Sequence, residues 1–229
     1  LAKWLFQNVI SLHTAQTLHY IAAAITGFYF FAHLVFLLIK TQKLGWRQML
    51  TGPNTLVVRK KDWYDLVAHI KWFFGKGPGP EFDRWTYWEK FDYFAVFWGV
   101  AIIGSSGMVL WYPAFFTRFL PGWTINIAHI IHSDEALLAA GFIFSIHFFN
   151  THFRIEKFPM DTVIFSGRIS KTEMQHDRRR WYDRLVKQPG GLEKHRVKDD
   201  WEGWKSIARS LGYFFFGLGI ILLLLIIYA

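Results

Sequence analysis

Residues Trp123 to Pro159 read WTINIAHIIHSDEALLAAGFIFSIHFFNTHFRIEKFP, and the fold turns on this stretch. From Ile125 to Asn150 it is long and apolar enough to cross a bilayer, for which about 20 such residues suffice. Yet it carries His129, His132 and His147, with His152 just beyond. Ionisable side chains within a membrane helix are costly, so they mark candidate functional positions. His132 and His147 are fifteen residues apart, which in an α-helix is roughly 22 Å of rise and about 60° of rotation. One broad helix face then offers an imidazole near each side of the membrane.

A second stretch, Thr17 to Lys40 (TLHYIAAAITGFYFFAHLVFLLIK), repeats the arrangement with His19 and His33 fourteen residues apart. That spacing is roughly 21 Å of rise and about 40° of rotation. Two helices with matched histidine pairs can clamp two flat cofactors, one above the other. Haem ligated by two histidines meets this demand, because each iron takes one neutral imidazole from either side. The chain has no cysteine. Covalent haem attachment through a C-x-x-C-H run is therefore excluded within it, as is a cysteine-ligated iron–sulfur cluster, and the expected cofactors are two haems b.

Composition and charge point the same way. Of the 229 residues, 52% are hydrophobic and 20% aromatic, with twelve tryptophans and twenty-four phenylalanines. A membrane protein with aromatic belts has use for so many rings. The net charge of +9 is confined to two blocks: ten Lys and Arg lie between Lys40 and Lys90, fourteen between Arg154 and Arg209, and only Lys3 and Arg118 elsewhere. This is the positive-inside pattern, which makes both blocks cytoplasmic. No soluble fold with a basic stripe is visible, so nucleic acid is not an expected partner.

The predicted fold is an all-α integral membrane protein forming one domain, 1–229. Four spans cover about residues 15–39, 91–112, 125–150 and 207–229. Loops 40–90 and 151–206 are cytoplasmic, and both termini lie outside. Spans one and three then run in the same direction, which pairs His19 with His132 for the outer haem and His33 with His147 for the inner one. His129, one turn before His132, is the alternative ligand.

Within the first loop, Trp63, Leu66, Val67, Ile70, Phe73 and Phe74 form one apolar face, so Asp62 to Phe74 reads as a helix lying on the membrane surface. His69 falls on its polar side as an ordinary surface residue. His13, His176 and His195 carry no expected role. Gly99, Gly104, Ser105, Ser106 and Gly107 in span two predict close approach to a neighbouring helix or cofactor, just as Ala22 to Ala24 and Gly27 do in span one. Charges alternate across 151–206, which reads as a solvated or partner-facing surface. His152, beside Arg154, either shapes a quinone pocket, pairs with a haem propionate, or is a plain interfacial residue. Asp134 and Glu135 are the only acids between Asp92 and Glu156. They either accept protons from a quinol or orient His129 or His132.

The phrases EKFDYFAVFWG (Glu89 to Gly99), SGMVLWYP (Ser106 to Pro113) and HSDEALLAAGFIFSIHFFNTHFRIEKFPMD (His132 to Asp161) resemble the membrane-bound di-haem cytochrome b superfamily. That superfamily includes formate dehydrogenase gamma subunits and hydrogenase b-type cytochromes. The phrases are most similar to a bacterial branch found beside multihaem cytochromes c. The resemblance implies location in the bacterial inner membrane and electron exchange between a quinone, menaquinone or ubiquinone, and a partner redox subunit. That partner is a multihaem cytochrome c or an iron–sulfur protein. By motif, His19, His33, His132 and His147 are the implied ligands; Asp134, Glu135, His152 and Arg154 are quinone and proton candidates by their position and chemistry, not by motif. Two rivals stand beside it. A membrane di-iron enzyme needs clustered H-x-x-x-H or H-x-x-H-H motifs, which only His129 and His132 approach. A non-redox membrane anchor or proton-relay transporter accounts for single histidines but not for matched pairs.

Overall fold

The computed structural model describes residues 10–154, 157–197 and 202–227. Every regular element among them is helical. In chain order these are α1 (Leu12–Leu44), α2 (Trp46–Thr51), α3 (Lys60–Phe73), α4 (Tyr87–Trp111), α5 (Pro113–Phe116), α6 (Thr124–Phe142), α7 (Val163–Ser166), α8 (Lys171–Asp177), α9 (Arg179–Val186), α10 (Gly191–Lys194) and α11 (Glu202–Ile227). Four helical stretches are long and apolar enough to cross a membrane: Leu12–Leu44, Tyr87–Trp111, Thr124–Phe153 and Trp204–Ile227. They coincide with the four expected spans, the last two residues of span four lying outside the described residues. Gly45, at φ 83°, ends α1 in the left-handed conformation that glycine adopts without a Cβ clash.

Burial is inverted relative to a water-soluble domain. The buried apolar residues are Ala128, Phe148, Met174, Leu185 and Ala208, whereas Asp62, Asp65, Asp83, Thr86, Lys90, Ser106 and His152 are among the buried polar ones. Large apolar side chains such as Phe28, Leu137 and Ile227 stand exposed along the long helices. Long helices that show so much hydrocarbon suit an apolar solvent rather than water.

The third long helix changes its winding. From α6 it continues as π-helix over Ile143–His147 and Phe149–Phe153. In this region Ser145 donates its hydroxyl to the Gly141 carbonyl at 2.6 Å, and Thr151 donates to His147 at 2.8 Å. Such hydroxyl bonds to the carbonyl four residues back perturb helices, although Thr17 and Ser106 make them within α-helix. The 60° separation expected for His132 and His147 assumed α-helix throughout. Wider turns rotate the chain less per residue, so the angle between these two positions differs from that projection.

The chain divides into two compact units. The first gathers the residues up to Phe36, Val96–Thr162 and the stretch from Ser206 onward. Within it Tyr20 stacks on Trp111 at 4.5 Å, and Phe30 meets Phe97 at 5.4 Å. Rising residue number on α1 thus meets falling number on α4, so these helices are antiparallel. The contacts Ser106 with His132 and Gly99 with Glu135 make α4 and α6 antiparallel as well. α1 and α6 therefore run in the same direction, as expected for spans one and three. Phe148 stacks on Phe216 of α11 at 6.1 Å, and a Cβ on Gly219 would meet the Phe148 ring at 2.3 Å. Only glycine fits there.

The second unit joins Leu37–Ala95 to Val163–Lys205. Its centre is ionic. Lys90 Nζ reaches both carboxylate oxygens of Asp62 at 2.9 Å, with 1% and 4% of the two side chains exposed. Asp62 also accepts the Arg59 backbone N–H at 2.6 Å at the start of α3. Thr86 and Glu89 cap α4 reciprocally: the Thr86 N–H donates to Glu89 Oε2 at 2.8 Å and the Glu89 N–H to Thr86 Oγ1 at 3.3 Å. Arg178 then bonds Glu89 at 2.6 Å, and Arg184 bonds Asp83 at 2.6 Å. The second basic segment, expected to be solvated or partner-facing, thus finds partners within its own chain.

His69 also departs from expectation. It is half-buried, its Nδ1 lies 3.0 Å from the Tyr87 hydroxyl, and Trp72, Phe82, Tyr87 and Trp88 surround its ring at 5.5 to 6.0 Å. The polar side of α3 faces the interior of its unit, which carries His69 inward.

Candidate functional site

The site lies in the first unit, where α1, α4 and α6 meet. His19 and His132 face each other with ring centroids 6.0 Å apart and planes at 89°. Two imidazoles bound to one metal from opposite sides, each at about 2.0 Å, have centres roughly 6.3 Å apart. Edge-to-face aromatic pairs occupy the same range, so the distance alone does not distinguish the two arrangements. The surroundings of His132 add the second observation. Its Nδ1 lies 3.1 Å from the Ile103 carbonyl and 3.2 Å from Ser106 Oγ, on α4. Ser106 in turn donates to the Ile102 carbonyl at 2.7 Å, which leaves its oxygen lone pairs toward the ring. With Nδ1 carrying the proton, Nε2 presents its lone pair. Metal-ligating histidines are oriented in this manner.

Gly107 completes the fit. A Cβ at this position would sit 3.0 Å from His132 Cε1, tighter than ordinary van der Waals contact. The close approach expected from Ser106 and Gly107 is found, and α4 can press its backbone against the His132 ring because residue 107 has no side chain. The hydrogen bond between His132 and Ser106 was not anticipated. A serine within a span reads as a small packing residue, and nothing in sequence spacing reveals which ring it meets.

His33 stacks against Phe36 at 6.1 Å and meets Phe97 edge-on at 5.7 Å. His147 is exposed, at the end of the first π-helical turn. His129 is exposed, and so is Asp134. Glu135 is half-buried, with Oε1 3.9 Å from the Cβ position of Gly99 on α4. His152 is buried, its Nδ1 2.7 Å from the Pro159 carbonyl, and it packs on Phe148 at 4.7 Å and Phe216 at 6.1 Å. Arg154 ends the second π-helical turn, and its carbonyl accepts from Lys157 and Phe158 at 2.9 Å each.

Among the described residues no group of three or more His, Asp or Glu side chains gathers as a metal site. A porphyrin iron asks for only two protein ligands. His19 and His132 therefore fit an axial pair, while the inner pair rests on its spacing alone. Comparison with known proteins gives no match: no family model, no curated protein and no solved structure matches this chain.

Proposed function

We propose that this chain is the membrane cytochrome b subunit of an electron-transfer complex, holding two haems b and exchanging electrons between a quinone and a partner redox subunit. The observation that carries it is the His19–His132 pair, two imidazoles from parallel helices at 6.0 Å with one locked by Ile103 and Ser106. Matched spacing of His33 and His147 supports an inner haem. When bound, haem supplies one-electron chemistry at a potential set by its ligands and surroundings. The chain's own part is to orient the imidazoles, as Ile103 and Ser106 do for His132. Glu135, half-buried and three residues after His132, is the candidate for handling quinol protons, and His152 holds its ring fixed beside Phe148 and Phe216. Four helices long and apolar enough to cross a membrane support a membrane location, and the positive-inside rule applied to the two basic blocks supports a cytoplasmic side for the second unit. The quinone, menaquinone or ubiquinone, and the multihaem cytochrome c or iron–sulfur partner rest on the resemblance.

A reduced-minus-oxidised visible spectrum of the purified chain, with pyridine haemochrome quantitation, tests this. Two b-type haems per chain are expected, and none would end the electron-transfer reading in favour of an anchor or proton relay. Gly107→Val supplies a second check. Its added methyl groups push His132 from its position, and the expected result is loss of most of one haem. Gly104→Val, at a glycine with nothing within 4 Å of its Cβ position, should keep full haem content.

A further inference from the structure

The helix α3 is turned inside out. Its polar positions Lys61, Asp62, Asp65 and His69 face the interior of the second unit. Its apolar strip faces outward, with Trp63 65%, Ile70 50%, Phe73 77% and Phe74 67% exposed. Asp62 and Asp65 are the only acids from Leu37 to Pro80, and only 3% and 8% of these residues is exposed. Asp62 is neutralised by Lys90 and Asp65 by Lys61. Lys43, Arg47, Lys60, Lys71 and Lys76 are all exposed. Folding therefore separates the charges: this part of the unit shows cations and hydrocarbon and no acid. At about 100° per residue Lys60 and Lys71 lie along one edge of the apolar strip.

We infer that the surface from Lys43 to Lys76 docks on an anionic lipid leaflet, with the Trp63–Phe74 strip at the boundary between acyl chains and headgroups. Its lysines and arginine meet the lipid phosphates. The match is one of charge and chemistry. An apolar strip edged by cations and free of exposed acid is attracted to anionic lipid and repelled by nothing on it. The inference deepens the membrane part of the proposed function and is independent of haem.

The full chain in nanodiscs tests it, with phosphatidylcholine as host and a minor fraction of phosphatidylglycerol. Because the chain lacks cysteine, Phe74→Cys, Phe28→Cys and Lys187→Cys each give a single nitroxide site. The label at 74 is expected to favour oxygen over a water-soluble relaxant, as the label at 28 on α1 does, while the label at 187 does the reverse. Spin-labelled phosphatidylglycerol should associate more strongly than phosphatidylcholine, and the triple variant K60E/K71E/K76E should lower that preference about tenfold. A water-exposed label at 74 beside a lipid-exposed label at 28 overturns the docking surface while leaving the spans intact. An unchanged lipid preference in the triple variant overturns it too. A water-exposed label at 28 instead removes the spans, and the docking surface with them.

Discussion

Replacing His132 with alanine is expected to remove one of two haems and leave the other, so that pyridine haemochrome falls by about half per chain. His132 is the best-anchored of the candidate ligands, because Ile103 and Ser106 fix its Nδ1 and Gly107 leaves room for its ring. No neighbouring side chain holds an equivalent position: His129 is one turn away and exposed. His19→Ala should give the same loss, since either imidazole leaves its iron with a single axial ligand. Added imidazole should restore part of the bis-histidine spectrum in both variants, which distinguishes lost ligation from misfolding. Full haem content in His132→Ala, with loss in His129→Ala, would transfer ligation to His129. Ser106→Ala refines the test, because it removes one hydrogen bond without removing the ligand. Haem content should hold while the potential of the affected haem shifts.

Lys90→Met should be the most destabilising change in the second unit. It strands the Asp62 carboxylate, 4% exposed at its side chain, with the Arg59 N–H as its remaining hydrogen-bond partner. Removing one member of a buried ion pair costs about 3–5 kcal/mol, most of it for the charge left behind. The double variant Asp62→Leu with Lys90→Met should recover most of that loss, because the replaced pair no longer buries an uncompensated charge. Denaturant unfolding of the detergent-purified chain, followed by tryptophan fluorescence, measures both. Equal stability of Lys90→Met and the original chain would mean that Asp62 finds water or another cation at little cost.

The sequence by itself determined the number of long apolar helices, their approximate limits and the candidate histidines. These properties are local: a run of apolar residues is legible without knowing its neighbours, and a spacing of fourteen or fifteen converts directly into rise along a helix. The parallel course of α1 and α6 followed from counting crossings, and the Tyr20–Trp111 and Ser106–His132 contacts agree with it. Tertiary structure alone decided which groups meet. Arg178 and Arg184 sit among alternating charges, and only folding brings them to Glu89 and Asp83, 89 and 101 residues away. Ser106 became a partner of His132, and His69 moved from an expected surface position into an aromatic cluster. The winding of the third long helix was hidden for a related reason. Ser145 and Thr151, whose hydroxyls bond carbonyls four residues back, are unremarkable in sequence, and nothing in the hydrophobic pattern marks the π-helical turns that carry His147 and His152. Hydrophobic pattern reports what a residue prefers to leave, which is water. What it meets instead depends on chain segments far away in sequence.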